Sequence, residues 1–118
     1  MNHIELFRTY LHHYANKNLE AISTMLAEEV HLGGWNISVF GKAEAIRETV
    51  KNFAEAESSE IHILALYEST DTVAGELHIG VDGKIDLYVV DMVTFNAQGK
   101  VTVIRSYKGR GDWSGSRH

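Results

Sequence analysis

Apolar residues near the N-terminus recur at helical spacing: Ile4, Phe7, Leu11 and Tyr14 share one face. Tyr10 joins that stripe one turn from Leu6 and Tyr14, so the spacing predicts a helix from Ile4 to Tyr14. Asn18 is a suitable cap for a second helix bearing Leu19, Ile22, Met25 and Leu26 and ending at Glu28-Glu29. Val30-His31-Leu32 and Trp35 to Phe40 alternate around Gly33-Gly34, which predicts two short strands joined by a glycine turn. Ala45, Ile46, Val50 and Phe53 form the apolar face of a third helix, followed by a polar linker from Glu55 to Glu60. From Ile61 the period changes to two. Strands are predicted over Ile61–Tyr67, Thr72–Val81, Ile85–Phe95 and Val101–Tyr107, with Asp82-Gly83 and Asn96 to Gly99 as turns.

Helices set apart from a meander of strands define an α+β domain with the helices covering one face of the sheet. The 118 residues suit one domain, placed at residues 1–112 with a tail at 113–118. Eleven basic against sixteen acidic residues give a net charge of -5, a poor surface for a phosphate backbone, so no nucleic-acid partner is expected. Cysteine is absent, which excludes disulfides, thiolate nucleophiles and zinc ribbons. Neither a signal-like apolar segment nor a bilayer-length run occurs, so a soluble cytoplasmic domain without a membrane partner is expected.

Asp91 carries the first chemical signal. It interrupts Leu87-Tyr88-Val89-Val90-Asp91-Met92-Val93, and period two sets it on one face with Leu87, Val89 and Val93. A carboxyl there is either a solvent-facing edge residue that discourages aggregation or a group lining a pocket. The apolar company on its own face favours the pocket. Tyr10 on its helix stripe has an ordinary core explanation, and its hydroxyl needs only one partner. Metal binding is not expected: His12 and His13 are adjacent on one helix, and His31, His62 and His78 lie on separate predicted strands. His31 falls opposite Leu32 in strand parity and is placed outward. Gly109-Arg-Gly-Asp112 reads as plain tail sequence, and no phosphate loop or nucleophile elbow occurs.

The element order and two local patterns resemble the nuclear transport factor 2-like superfamily, nearest its ketosteroid isomerase and SnoaL-like branch. The first pattern is Tyr10-Leu-His-His-Tyr-Ala-Asn-Lys-Asn-Leu-Glu-Ala21, then Leu26-Ala-Glu-Glu-Val30 and Gly41. The second is Val90-Asp-Met-Val-Thr-Phe-Asn-Ala-Gln-Gly99, continuing to Tyr107. The resemblance implies a curved sheet wrapped around the helices as a cone with an apolar cavity. In the isomerases a tyrosine of the first helix and a protonated aspartic acid of the long strand form an oxyanion hole, and their positions match Tyr10 and Asp91. The family's proton-abstracting Asp is matched by Gly34, which supplies no base.

These readings predict binding of a small, largely apolar molecule whose carbonyl or enol oxygen meets Tyr10 and Asp91. No cofactor is implied. Tyr14, Leu32, Trp35, Leu77, Ile79, Leu87, Val89 and Ile104 are the expected ligand contacts. An enzyme of this kind would catalyse an isomerase, cyclase or dehydratase type of reaction. The alternative is a dimerisation or accessory module with a vestigial cavity; small residues at Gly34 and Gly75 argue against it by leaving room. The opposite sheet face carries Glu76, His78, Tyr88, Val90 and Met92, an apolar strip suited to a homodimer. Burial is expected to raise the pKa of Asp91 and keep it neutral near neutral pH, against the opposing pull of Lys108, which the resemblance directs with Ile104 and Ser106 toward the cavity mouth.

Overall fold

Helix α1 (His3–Ala15) opens on a reciprocal cap: Asn2 accepts the backbone N–H of Glu5, whose carboxylate accepts the N–H of Asn2. The computed structural model describes residues 2–109. After α1 come α2 (Leu19–Met25), β1 (Leu26–Gly33), β2 (Ser38–Phe40), α3 (Lys42–Glu55), β3 (Ser59–Glu68), β4 (Thr72–Val81), β5 (Ile85–Phe95) and β6 (Val101–Lys108). Six strands form one sheet in the order β2-β1-β6-β5-β4-β3. Every pairing is antiparallel except β1 with β6, so the sheet is mixed.

The Asp82-Gly83 turn has positive φ at both residues (55° and 68°), the backbone a tight hairpin needs. The Asp82 carboxylate also accepts the N–H groups of Glu57 and Ser58, which ties the hairpin to the chain entering β3. Beside the same segment Lys17 sends its ammonium to the carbonyls of Phe53 and Ala56 at the end of α3. That cation satisfies acceptors that a helix C-terminus leaves unpaired. Register shifts interrupt the pairing at Leu26/His31, Ile63/Ala65 and Thr94/Phe95, and such bulges bend the strands that carry them.

Phe7 and Ile22 of the helices pack with Val30, Val73, Leu77, Val93 and Val101 of the sheet as fully buried side chains. The α+β arrangement is as the pattern predicted and the curved sheet as the resemblance implied, with three local differences. Helix α2 stops at Met25, and Leu26 to Glu29 belong to β1. Leu26 and Ala27 are buried, Glu28 and Glu29 exposed and Val30 buried again. This two-by-two alternation at an irregular strand mimics a helical stripe. Trp35 to Ile37 form the turn of the β1–β2 hairpin instead of opening a strand, closed by the Gly34 N–H on the Ile37 carbonyl at 2.9 Å. Val50 is 45% exposed, and the inner face of α3 is carried by Ala45 and Thr49. The predicted tail at 113–118 lies outside the described residues.

Candidate functional site

The concave face of the sheet can be followed rung by rung. Gly75 pairs with Asp91 and Asp91 with Ser106; Leu77 pairs with Val89 and Val89 with Lys108. Directly paired residues share a face, so Asp91, Ser106, Val89 and Lys108 all lie on the concave side, with Lys108 exposed at the strand end. Leu32 of β1 pairs with Ile104 and joins the same face.

Within this interior the Ser106 hydroxyl donates to Asp91 Oδ1 at 2.7 Å. Burial raises the Asp91 carboxyl from its ordinary 3.8 to about 6, with the Ser106 bond as the opposing influence. The direction agrees with the sequence expectation, but the extent does not. With a pKa of about 6, roughly nine carboxyls in ten are ionised at pH 7. Asp91 is thus a carboxylate near neutrality, because the Ser106 donor stabilises the charge that burial disfavours.

Tyr10 reaches this region from α1 and is buried, and burial holds its hydroxyl well above the usual phenol range, helped by Tyr14 and Asp91. No hydrogen bond joins Tyr10 to Asp91 among the described residues. Tyr14 lies one turn further along α1, its ring 6.0 Å from that of Tyr10 and edge-on to Phe53 at 5.1 Å. Its hydroxyl oxygen accepts from Asn52 Nδ2 at 3.0 Å. Burial raises its pKa, the Asn52 bond lowers it, and Asp91 and Glu55 raise it further. The Asp91 carboxyl therefore raises both phenols of α1.

The other predicted contacts divide into groups. Leu77, Val89 and Ile104 are buried core residues, while Leu32, Ile79 and Leu87 are partly buried against that core. Trp35 stands 51% exposed at the hairpin turn, with the Lys108 ammonium 5.9 Å from its ring centre. Gly75 does not leave room: a Cβ there would lie 2.5 Å from the Phe7 ring, so Phe7 occupies the space. Gly34 does leave room, the nearest atom to an added Cβ being Ile37 Cγ1 at 3.8 Å.

Sequence reasoning missed Ser106 as the partner of Asp91, and Asn52 as the partner of Tyr14. The family resemblance directed Ser106, with Ile104, toward the cavity mouth without pairing it to Asp91. Sequence reasoning also treated the histidines as scattered, whereas His62 and His78 pair across β3 and β4 with stacked rings 5.5 Å apart. His78 lies 2.8 Å from Asp86 and against Tyr88, all on the convex face. His31 is outward as expected, stacked on Phe40 and bonded to Ser38. A separate surface groove of about 400 Å³ lies beside His3, Asp71, Phe95 and Asn96, away from Asp91. No described helix is long and apolar enough to cross a membrane.

Residues 7–104 match the family described as the SnoaL-like domain. No functionally curated protein matches the chain in sequence. Among solved structures, an NTF2-like protein of unknown function from Cytophaga hutchinsonii superimposes with a TM-score of 0.77 at 16% identity, covering 92% of this chain and 91% of that one. The epoxide hydrolase/cyclase-like enzyme SalBIII, of pyran ring formation in the polyether salinomycin, gives 0.80 at 20% identity, covering 93% and 92%. A computationally designed 17-OHP binder gives 0.77 at 15% identity, covering 88% and 90%. At these identities the likeness is one of fold.

Proposed function

The chain belongs to the SnoaL-like domain family, and from that premise we propose that its interior binds a small, largely apolar molecule with a carbonyl oxygen directed at Tyr10 and the adjacent carbon, or an enol hydroxyl, at the Asp91 carboxylate. The observation that carries this reading is the Asp91 carboxyl, set on the concave face with Ser106 as its bonded partner and close enough to Tyr10 and Tyr14 to raise both phenols. A carboxyl withdrawn from water costs folding free energy whatever its role, and groups with displaced pKa values concentrate at functional sites.

Asp91 then takes both parts of an acid–base cycle. With a pKa of about 6 it is a competent proton acceptor at neutral pH and a donor once loaded. It accepts a proton from carbon next to the carbonyl, while the Tyr10 hydroxyl holds the developing oxyanion, and it returns the proton to another position. This assigns to Asp91 the base that Gly34 does not provide. The reaction class is isomerisation or cyclisation, as the names of several proteins of this fold suggest by analogy.

The test uses 2-tetralone, an apolar bicyclic ketone with acidic α-hydrogens, in deuterium oxide. Deuterium should enter the α position faster with protein than without, with an apparent pKa of about 6. Asp91→Asn should abolish the acceleration and Tyr10→Phe should weaken it. Binding without exchange would leave a ligand carrier. No binding would favour the second reading, a dimerisation or accessory module, which the Phe7 ring beneath Gly75 supports by filling part of the interior.

The convex face bearing His78, Tyr88, Val90 and Met92 is proposed as the surface through which two copies associate. Val90 and Tyr107 pair across β5 and β6 and are 36% and 55% exposed, two adjacent large side chains on a paired sheet.

A further inference from the structure

We infer that the cone mouth carries an anion subsite, Lys108 set against Trp35, so that the molecule bound at Tyr10 and Asp91 has an acidic group at its outer end. The inference rests on the reading above and adds the chemical class of the ligand. The register fixes the geometry. Asp91–Ser106 is one rung of the concave face, and Val89–Lys108 is the next rung of that face toward the strand end. Two residues along a strand advance the backbone about 7 Å, so the Lys108 backbone lies that far outward from the Ser106 rung. Its neighbour Arg105 pairs with Met92 on the convex side and does not serve this face.

The ammonium is held 5.9 Å from the centre of the Trp35 ring. That attraction stations the charge at the rim and turns it away from the carboxylate below, whose pKa reflects burial and Ser106. An ammonium has three donors and no acceptor, so it can remain over an aromatic ring and still donate to a carboxylate. Trp35 offers an exposed flat surface beside it, suited to an apolar or aromatic body passing between rim and interior. The chain as a whole carries a charge of -5, which repels anions at long range. Lys108, exposed at the end of the concave face, therefore selects where an acidic group is accepted. The ligand class is a planar or apolar carboxylic acid whose reactive oxygen and acidic group are separated by about 7 Å or somewhat more.

The experiment compares 6-hydroxy-2-naphthoate, whose oxygen and carboxylate lie at opposite ends of one flat body, with its methyl ester. Calorimetric affinities should favour the acid by about tenfold or more at low salt, the size expected of one charge-assisted contact. The preference should shrink as salt is added. In Lys108→Gln the ratio of affinities should fall to about one, and in Lys108→Arg it should return. Equal affinities in wild type, or a preference that persists in Lys108→Gln, would overturn the subsite while leaving the interior reading intact. If neither compound binds, the subsite falls together with that reading.

Discussion

The Ser106 hydroxyl donates to Asp91 Oδ1 across 2.7 Å, and this bond restrains the upward pull that burial exerts on the carboxyl. Removing the donor should release that restraint. In Ser106→Ala the midpoint of Asp91 should rise above about 6, followed through its carboxyl carbon resonance. A midpoint that stays or falls would mean that Ser106 does not stabilise the charged form.

Stability should depend on pH through the same group. The folded pKa of about 6 exceeds the ordinary 3.8, so the native state holds its proton longer than the unfolded chain. The contribution is full below about pH 4 and is lost as pH rises to about 6, amounting to about 3 kcal/mol. Asp91→Asn removes it. Urea unfolding should show the variant gaining on wild type by about that amount between about pH 4 and about pH 8. An equal difference at both pH values would contradict the buried carboxyl.

Gly75 is a packing position. Its added Cβ would stand 2.5 Å and 2.6 Å from two Phe7 ring atoms, and Phe7 is fully buried. Gly75→Ala should therefore destabilise by roughly 1–3 kcal/mol, with partial recovery in Gly75→Ala/Phe7→Leu. Thermal unfolding of the three variants checks this, and an unaffected single variant would contradict the contact.

A charge on the convex face should separate the proposed pair of copies. Val90→Glu is expected to sediment as a monomer where wild type sediments as a dimer at micromolar concentration, since an unpaired charge in an interface costs roughly 3–5 kcal/mol. Helical and strand content should be unchanged. A monomeric wild type would remove the proposed interface.

Most of the fold is legible because its periodicities are long and undisturbed. β4 and β5 coincide with their predicted bounds, since each alternates for ten or more residues and Asp82-Gly83 fixes the turn between them. The β1 region is not legible, because an irregular pairing places Glu28 and Glu29 side by side on the outside. At the site, parity alone puts Asp91 inside. Its partners depend on register between strands and on helix packing, which bring Ser106 and Tyr14 to it from 15 and 77 positions away. Gly75 marks the limit of reading size from sequence: a missing side chain signals space, but only the packing shows that Phe7 fills it.

The account stands on Asp91 as an interior carboxyl that exchanges its proton near neutrality and meets the bound molecule. The most direct measurement is the pH titration of its side-chain carboxyl carbon, free and saturated with 2-naphthol. The predicted result is a midpoint of about 6 in the free protein, displaced when the naphthol oxygen occupies the site. A midpoint near the ordinary value of about 3.9, unmoved by the naphthol, would contradict it.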